Sequence, residues 1–259
     1  MRGIADYTFV RPLGSGNHGH YHLALTPARL PVDAEHVAVK VLAGESTTAT
    51  FRRATRELTA FAAVRSPYLV APYDAGQQDG IFYYATEYLD GGTLADPVAP
   101  ADAPRAVAHA ARAAGALHRA GIVHRDIKPA NVLLHAGGAK LSDLGLSHVF
   151  TAGVTLTGMG SMASAEYTDP AVLGGEPPRP ASDVYSLGVV LHRAVAGVGL
   201  YGELPADDGL FVLRRILSTE PVVSPALPGA VAALVRACLG PVDGRPDAEA
   251  LADRIDALS

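Results

Sequence analysis

The sequence predicts an α+β protein of two lobes, a small strand-rich one followed by a larger, mostly helical one. Three observations predict it. Before residue 90 the apolar residues come in short, often β-branched runs separated by glycine turns, with one helical stretch among them. After residue 90 strong helix formers dominate, apart from two short apolar runs near residues 132 and 140. Between the two parts lies "DGGTL" (90–94), which reads as a flexible break. The chain 1–259 is expected to form a single domain, with 1–88 as the small lobe, 89–259 as the large lobe and a cleft between them.

Each element follows from its own text. "YTFVRPLGSG" (7–16) and "YHLALT" (21–26) bracket a glycine turn as a hairpin, and "HVAVKVL" (36–42) is the β-branched run of a buried strand. "ATFRRATRELTAFAAV" (49–64) places apolar residues at 51, 54, 58, 61 and 62, one face of a helix, before Pro67 interrupts. "LVAPYDAGQQDGIFYYATEYL" (69–89) reads as two strands joined at "QQDG". "PRAVAHAARAAGALHRAG" (104–121) is helical throughout, with Gly121 as its C-terminal stop. "NVLL" (131–134) and "AKLSDLG" (139–145) are short apolar runs. A polar, Gly/Thr-rich stretch (151–166) precedes helices expected from about residues 182, 208, 229 and 246.

Composition narrows the function classes. With 49% hydrophobic and 18% charged residues the chain is ordinary for a globular soluble protein. The formal net charge of -5 argues against non-specific nucleic-acid binding, because no basic excess exists to neutralise phosphates. A single cysteine, Cys238, excludes an internal disulfide framework and fits a reducing compartment. No run approaches the roughly 18 apolar residues of a membrane helix, and the first residues lack the apolar core of a signal peptide. The expectation is a cytoplasmic chain with no membrane segment of its own, and a longer parent with an anchor is compatible with it. Arginine outnumbers lysine 18 to 3, so each lysine (Lys40, Lys128, Lys140) calls for a reason that arginine cannot meet. Asparagine occurs twice, as Asn17 and Asn131.

"LGSGNHGHYHLA" (13–24) has two readings. Gly14, Gly16 and Gly19, with Ser15 between, suit a loop whose backbone N–H groups approach phosphate. His18, His20 and His22 recur at the two-residue period of a strand, a spacing that would bring metal ligands to one face. A dinucleotide site needs a strand, then glycines, then a helix, whereas strand text follows the glycines here. The loop is therefore expected to be a hairpin flap. The metal reading weakens because His18 falls on the turn and no acid or cysteine adjoins it.

Five further motifs follow in order. "VAVK" (37–40) resembles a phosphate-binding strand, "HRDIKPAN" (124–131) a catalytic loop and "DLG" (143–145) a metal-binding turn, while "SDVYSLG" (182–188) and "DGRP" (243–246) match later landmarks. With these, residues 7–258 resemble a eukaryotic-type Ser/Thr protein kinase domain of bacterial, actinobacterial-like kind. The resemblance implies an α+β bilobal fold with ATP in the cleft, and transfer of its γ-phosphate to Ser/Thr hydroxyls of a protein substrate. It implies Mg²⁺, with Mn²⁺ as a substitute, and an activating protein or self-dimer as a further partner.

The same resemblance assigns roles residue by residue. Gly14, Ser15, Gly16 and Gly19 form the flap; Lys40 holds the α- and β-phosphates and Glu57 holds Lys40. Asp126 orients the substrate hydroxyl or takes its proton, and Lys128 neutralises the γ-phosphate in flight. Asn131 and Asp143 hold the metal. Ala38 packs on adenine, Thr86 is the gatekeeper, and the Glu87 carbonyl and Leu89 amide bond the base. Tyr21 stands where the family has valine over the ring. Phe61, His124 and Leu144 form a stacked spine. Arg125 grips a phosphorylated activation loop, for which Thr155 and Thr157 are the candidate autophosphorylation sites. The plainer alternatives are a solvated helix charge for Glu57 and ordinary loop residues for the two threonines.

Departures from the family pattern cluster where a peptide would dock. The family's A-P-E reads "DPA" (169–171), so its glutamate is Ala171 and its usual partner, Arg245, needs another acid; Asp169 is the candidate. The preceding G-T reads "AS" (163–164), making Ser164 the stand-in for a threonine that bonds Asp126 and Lys128. The Pro-rich linker after "GGTL" is too short for the usual helix there. These changes keep a second function open, an ATP-binding pseudokinase scaffold. A small-molecule kinase of related fold is disfavoured by the arginine between His124 and Asp126.

Overall fold

The computed structural model describes residues 3–16, 19–43, 47–99, 102–143, 162–205 and 208–258. The chain packs as two compact units. Of the described residues, the first comprises those up to 63 together with 70–89, and the second comprises 64–69 and those from 90 onward.

The described part of the first unit is a six-stranded antiparallel sheet and one helix. Strands β1 (Gly3–Ile4), β2 (Tyr7–Gly16), β3 (Gly19–Leu25), β4 (His36–Leu42), β5 (Pro72–Gln78) and β6 (Ile81–Glu87) lie in the order β1-β2-β3-β4-β6-β5. The hairpin expected around the glycines is β2–β3, closed at Gly16↔Gly19. Because side chains alternate along a strand, register sorts the faces. His22, Val39 and Ala85 lie opposite one another on one face. That face carries an apolar cluster of Ile4, Tyr7, Ala24, Val37, Val39, Tyr83 and Ala85. A polar knot sits beside it: the Tyr7 hydroxyl donates to Asp74 at 2.7 Å, and Arg29 bonds Asp74 at 2.6 Å and Asp6 at 2.7 Å. The Arg29 guanidinium holds the Asp6 carboxyl below the usual carboxylate range. Helix α1 (Thr48–Ala63) buries Ala54, Leu58 and Phe61, the stripe its sequence period predicts, and Phe51 packs edge-on against Phe82 of β6.

In the second unit, residues 64–69 lie beside the apolar run near residue 140: the Leu141 amide donates to the Tyr68 carbonyl at 2.8 Å. The core helix is α2 (Asp102–Arg119), whose buried positions are mostly alanine and lie on nearly all sides of it. Small side chains let neighbouring elements approach closely. Gly121 follows in the left-handed conformation (φ 74°) and the Ile122 amide returns to the Leu117 carbonyl, the stop expected from sequence. The apolar runs at 132 and 140 pair as β7 (Val132–His135) and β8 (Gly138–Leu141).

Among the described residues the remaining α-helices are the short α3 (Pro170–Leu173), α4 (Pro180–Ala196), α5 (Gly209–Ser218), α6 (Gly229–Leu239) and α7 (Ala248–Asp256). The last four match the expected starts. Helix α7 is tied to α2 by Arg112, which reaches Glu249 and Asp253, and by Arg119, which reaches Glu249.

One expectation is corrected here. "DGGTL" is not a flexible break but a docked segment: the Gly91 amide donates to the Leu134 carbonyl at 3.1 Å and the Leu94 amide to the Val132 carbonyl at 2.9 Å. A Cβ on Gly91 would lie 2.4 Å from the Leu134 carbonyl oxygen. The glycine serves close approach, not mobility. No helix occurs between residues 90 and 99, as the short linker predicted.

His192 of α4 is fully buried and its Nε2 accepts the Ser224 amide at 3.0 Å, which requires that nitrogen to be unprotonated. Burial pushes its pKa below the ordinary value. The unfolded chain takes up a proton near pH 6.5, the folded one only at lower pH. Stability contributed by the neutral ring is therefore complete above about pH 6.5 and is lost as pH falls below it. The urea midpoint is expected to drop between pH 7 and pH 5, and to drop less in His192→Gln. An identical pH slope in that variant would remove His192 from the account.

Candidate active site

Strands β3, β4 and β6 place the residues expected to meet the nucleotide on the sheet face opposite the apolar cluster. Tyr21, Lys40 and Tyr84 form one cross-strand row, and Leu23, Ala38 and Thr86 form the next. Lys40 is only 6% exposed, and its Nζ lies 4.8 Å from the Tyr21 ring centre and 5.9 Å from that of Tyr84. The Tyr21 ring thus faces the Lys40 ammonium.

The flap residues Gly14, Ser15 and Gly16 end β2 and Gly19 begins β3. Gly14 holds φ 149°, open to glycine and strained for other residues. Gly19 has a different reason to lack a side chain: a Cβ there would sit 2.4 Å from the Val41 carbonyl oxygen. The Ser15 hydroxyl meets His20 Nδ1 at 3.0 Å, and His22 stacks flat on Phe9 at 4.0 Å. His20 and His22 are thus engaged with separate partners, while Asn17 and His18 lie outside the described residues.

At the end of β6 the Glu87 amide donates to the Ala71 carbonyl at 2.9 Å, and its side chain accepts the Ala71 amide at 2.7 Å. The Glu87 carbonyl accepts the Thr86 hydroxyl at 3.1 Å and has a second lone pair for another donor. Leu89 follows, half-buried. On α1, Glu57 meets Arg53 one turn earlier, with an Nε–Oε1 distance of 3.6 Å.

In the second unit, "HRDIKPAN" is a tightly cross-bonded loop. Lys128 Nζ lies 3.0 Å from each Asp126 carboxylate oxygen. Asn131 Nδ2 donates to the Asp126 carbonyl at 2.7 Å and to its carboxylate at 3.0 Å. With its amide nitrogen committed to Asp126, Asn131 keeps its side-chain oxygen as the acceptor end. The Ser142 amide and hydroxyl both donate to the Asn131 carbonyl, at 2.8 and 3.1 Å, which brings Asp143 alongside. Asp143 holds φ 65°, a strained conformation for a residue other than glycine. Two hard oxygen donors on adjoining segments suit a hard divalent cation that keeps water and phosphate as its other ligands.

His124 is fully buried, and both ring nitrogens are used: Nε2 lies 3.0 Å from the Ser142 carbonyl and Nδ1 3.3 Å from the Asp126 amide. A neutral ring, donating from Nε2 and accepting at Nδ1, satisfies both. Burial lowers its pKa in spite of the carboxylates of Asp183 and Asp126 nearby.

Asp183, near the start of α4, holds the candidate catalytic loop and was given no role by sequence reasoning. It is 1% exposed and accepts the amides of His124 and Arg125 at 2.8 and 2.9 Å, with His118 Nε2 at 2.7 Å. Those bonds hold Arg125 at φ 72°, with its side chain exposed. The signal was present in "SDVYSLG" (182–188), read as a landmark of the buried helix without a role for the acid in its first turn.

Ser164 lies on the 3-10 turn Met162–Tyr167. Among the described residues, the hydrogen bonds of the Asp126 and Lys128 side chains run to each other and to Asn131, with none to Ser164. The expected acid for Arg245 is in place: Asp169 bonds its guanidinium, and the two side chains are 2% and 6% exposed. Asp169 also caps α3 by accepting the Ala171 amide at 3.1 Å. Leu144, Gly145, Thr155 and Thr157 lie outside the described residues.

Comparison with known proteins decides the family. The model of the protein kinase domain matches residues 7–223. The chain belongs to the protein kinase domain family. This kinase domain is 35% identical over 244 residues to the serine/threonine-protein kinase PknJ of Mycobacterium tuberculosis, an alignment covering 89% of the chain and 41% of PknJ. It is 36% identical to PknB of Mycobacterium leprae over 199 residues, 71% of the chain and 31% of PknB. PrkC of Bacillus subtilis is 30% identical over 236 residues, 87% of the chain and 36% of PrkC. The chain thus spans less than half the length of each of these relatives. The crystal structure of the Mycobacterium tuberculosis PknI kinase domain superposes with a TM-score of 0.71 at 24% identity, covering all of this chain and 99% of that one. The bacterial eukaryotic-type Ser/Thr kinase resemblance and the bilobal protein-kinase fold class read from the motifs are borne out.

Proposed function

We propose that this kinase domain transfers the γ-phosphate of ATP to Ser/Thr hydroxyls of a protein substrate. The observation that carries the proposal is the cross-bonded loop: the Asp126, Lys128 and Asn131 side chains are joined by hydrogen bonds of 3.0 Å. Phosphoryl transfer needs positioning and charge neutralisation more than covalent help. The Asp126 carboxylate orients the substrate hydroxyl and takes its proton as oxygen attacks the γ-phosphorus. The bond to the β-phosphate oxygen breaks and ADP leaves with the electron pair. Lys128, a compact charge 3.0 Å from Asp126, offsets negative charge on the phosphoryl group. Asn131 and Asp143 would hold Mg²⁺, or Mn²⁺ in its place, which supplies charge neutralisation on the phosphates. Lys40 takes the α- and β-phosphates with Glu57 steadying it. Gly14, Ser15, Gly16 and Gly19 close over the phosphates, while Ala38, Thr86, Glu87 and Leu89 receive adenine.

Autophosphorylation on Thr155 and Thr157, read by Arg125, belongs to the same proposal, as does Ser164 beside the peptide site. A cytoplasmic setting and an activating protein or self-dimer complete it; among the described residues no helix is long and apolar enough to cross a membrane. Purified protein incubated with Mg²⁺ and γ-labelled ATP tests it. Label on an added protein substrate, and on Thr155 or Thr157 by mass spectrometry, is the expected result. Nucleotide binding without any transfer would instead favour the scaffold reading, for which the altered "DPA" segment speaks.

A further inference from the structure

Tyr21 stands where the family pattern has valine over adenine, and its ring lies 4.8 Å from the ammonium of Lys40. Register accounts for that contact. Tyr21 sits directly across from Lys40, whereas Ala38 sits across from Leu23, one row further along the sheet. The Tyr84 ring lies on the other flank of Lys40, 5.9 Å away and again in direct register. Two aromatic rings therefore flank one buried ammonium, and Gly14 of the flap is the residue paired with Tyr21.

A ring face carries negative charge density, so it attracts a cation, and the attraction grows when water is excluded. Lys40 is 6% exposed, which puts it in the desolvated regime. A phosphate oxygen must come within about 2.8 Å of the same ammonium to make a charge-assisted bond. A ring lying over the ammonium competes for the side that phosphate approaches. The nearer of the two rings is Tyr21, and it sits on the strand that leaves the flap.

We propose that Tyr21 is a gate on Lys40: with Tyr84 it forms an aromatic clamp on the ammonium, and nucleotide phosphates bind by displacing the Tyr21 ring. The clamp lowers affinity for phosphate-bearing nucleotides while leaving adenine recognition, which belongs to the Ala38 and Thr86 row, untouched. The inference rests on the proposed ATP-binding role of Lys40.

Binding of ATP and of adenosine to the wild type, Tyr21→Val and Tyr21→Phe, followed by titration calorimetry, tests the gate. Removing a desolvated cation–π contact is expected to tighten ATP binding by about tenfold in Tyr21→Val. Adenosine, which has no phosphate to compete for Lys40, is expected to bind both proteins alike. The conservative variant Tyr21→Phe keeps the ring and is expected to restore wild-type ATP affinity. An adenosine shift equal to the ATP shift would mean that the ring stacks on the base and would overturn the gate. Unchanged or weakened ATP binding in Tyr21→Val would overturn it too, as would Tyr21→Phe behaving like valine. Failure of the wild type to bind ATP at all sinks the nucleotide-binding reading itself and the gate with it.

Discussion

Asp126→Asn is expected to cut phosphate transfer by about 10²–10⁴-fold while leaving ATP affinity within a few-fold of wild type. The substitution is nearly isosteric, but it removes the one charge that can accept a hydroxyl proton in this loop. It also turns a carboxylate that takes bonds from Lys128 at both oxygens into a group with one acceptor and one donor end. One end of the new amide would face the Lys128 ammonium or the Asn131 amide nitrogen with like polarity. The loop should therefore loosen as well as lose its base. Phosphorylation rate under saturating ATP, set beside nucleotide affinity from calorimetry, checks the prediction. Equal rates in the two proteins would remove Asp126 from the chemistry.

The second large effect is on stability. Arg245 is a buried guanidinium held by Asp169, by the Gly240 carbonyl at 2.9 Å and by the Ala181 carbonyl at 3.0 Å, with the Tyr185 ring 5.2 Å from its centre. Removing one member of a buried ion pair leaves the other charge without compensation, at a cost of about 3–5 kcal/mol. Asp169→Ala is expected to destabilise by that order, and it also strips the cap from α3. Arg245→Ala should cost as much, because the Asp169 carboxylate is then buried alone. Replacing both together, as Asp169→Ala with Arg245→Met, should recover part of the loss, since no unpaired charge remains. Denaturant unfolding of the four proteins measures this. If Asp169→Ala unfolds like wild type while Arg245→Ala does not, Asp169 is not the acid that replaces the missing glutamate at Ala171.

Local signals made most of the fold legible. Strand alternation, the α1 stripe and the Gly121 stop all depend on residues close in sequence, and the structure follows them. "DGGTL" misled because a glycine needed for close approach to Leu134 looks the same in sequence as one placed for freedom. The Tyr7–Asp74–Arg29 knot was invisible because its members are up to 67 positions apart and none belongs to a motif. In the site, Asp126, Lys128 and Asn131 were legible because their chemistry is packed into eight consecutive residues. Tyr21 was recognised as unusual, with stacking on the base or crowding it left open; its contact with Lys40 was not foreseen, since sequence gives the strand and not the register across it. Asp169 could be foreseen only because a buried arginine requires an acid somewhere near.

Asp183 touches no nucleotide or hydroxyl in the proposed reaction, yet it fixes two backbone amides of the catalytic loop from the start of a long helix. In a genetic screen for inactive variants it would therefore score beside Asp126. Kinetic loss alone would misfile it as chemistry. What separates the two is where the damage spreads: an Asp126 lesion stays with the reaction, whereas an Asp183 lesion releases Arg125 from its strained backbone and travels through His118 into α2.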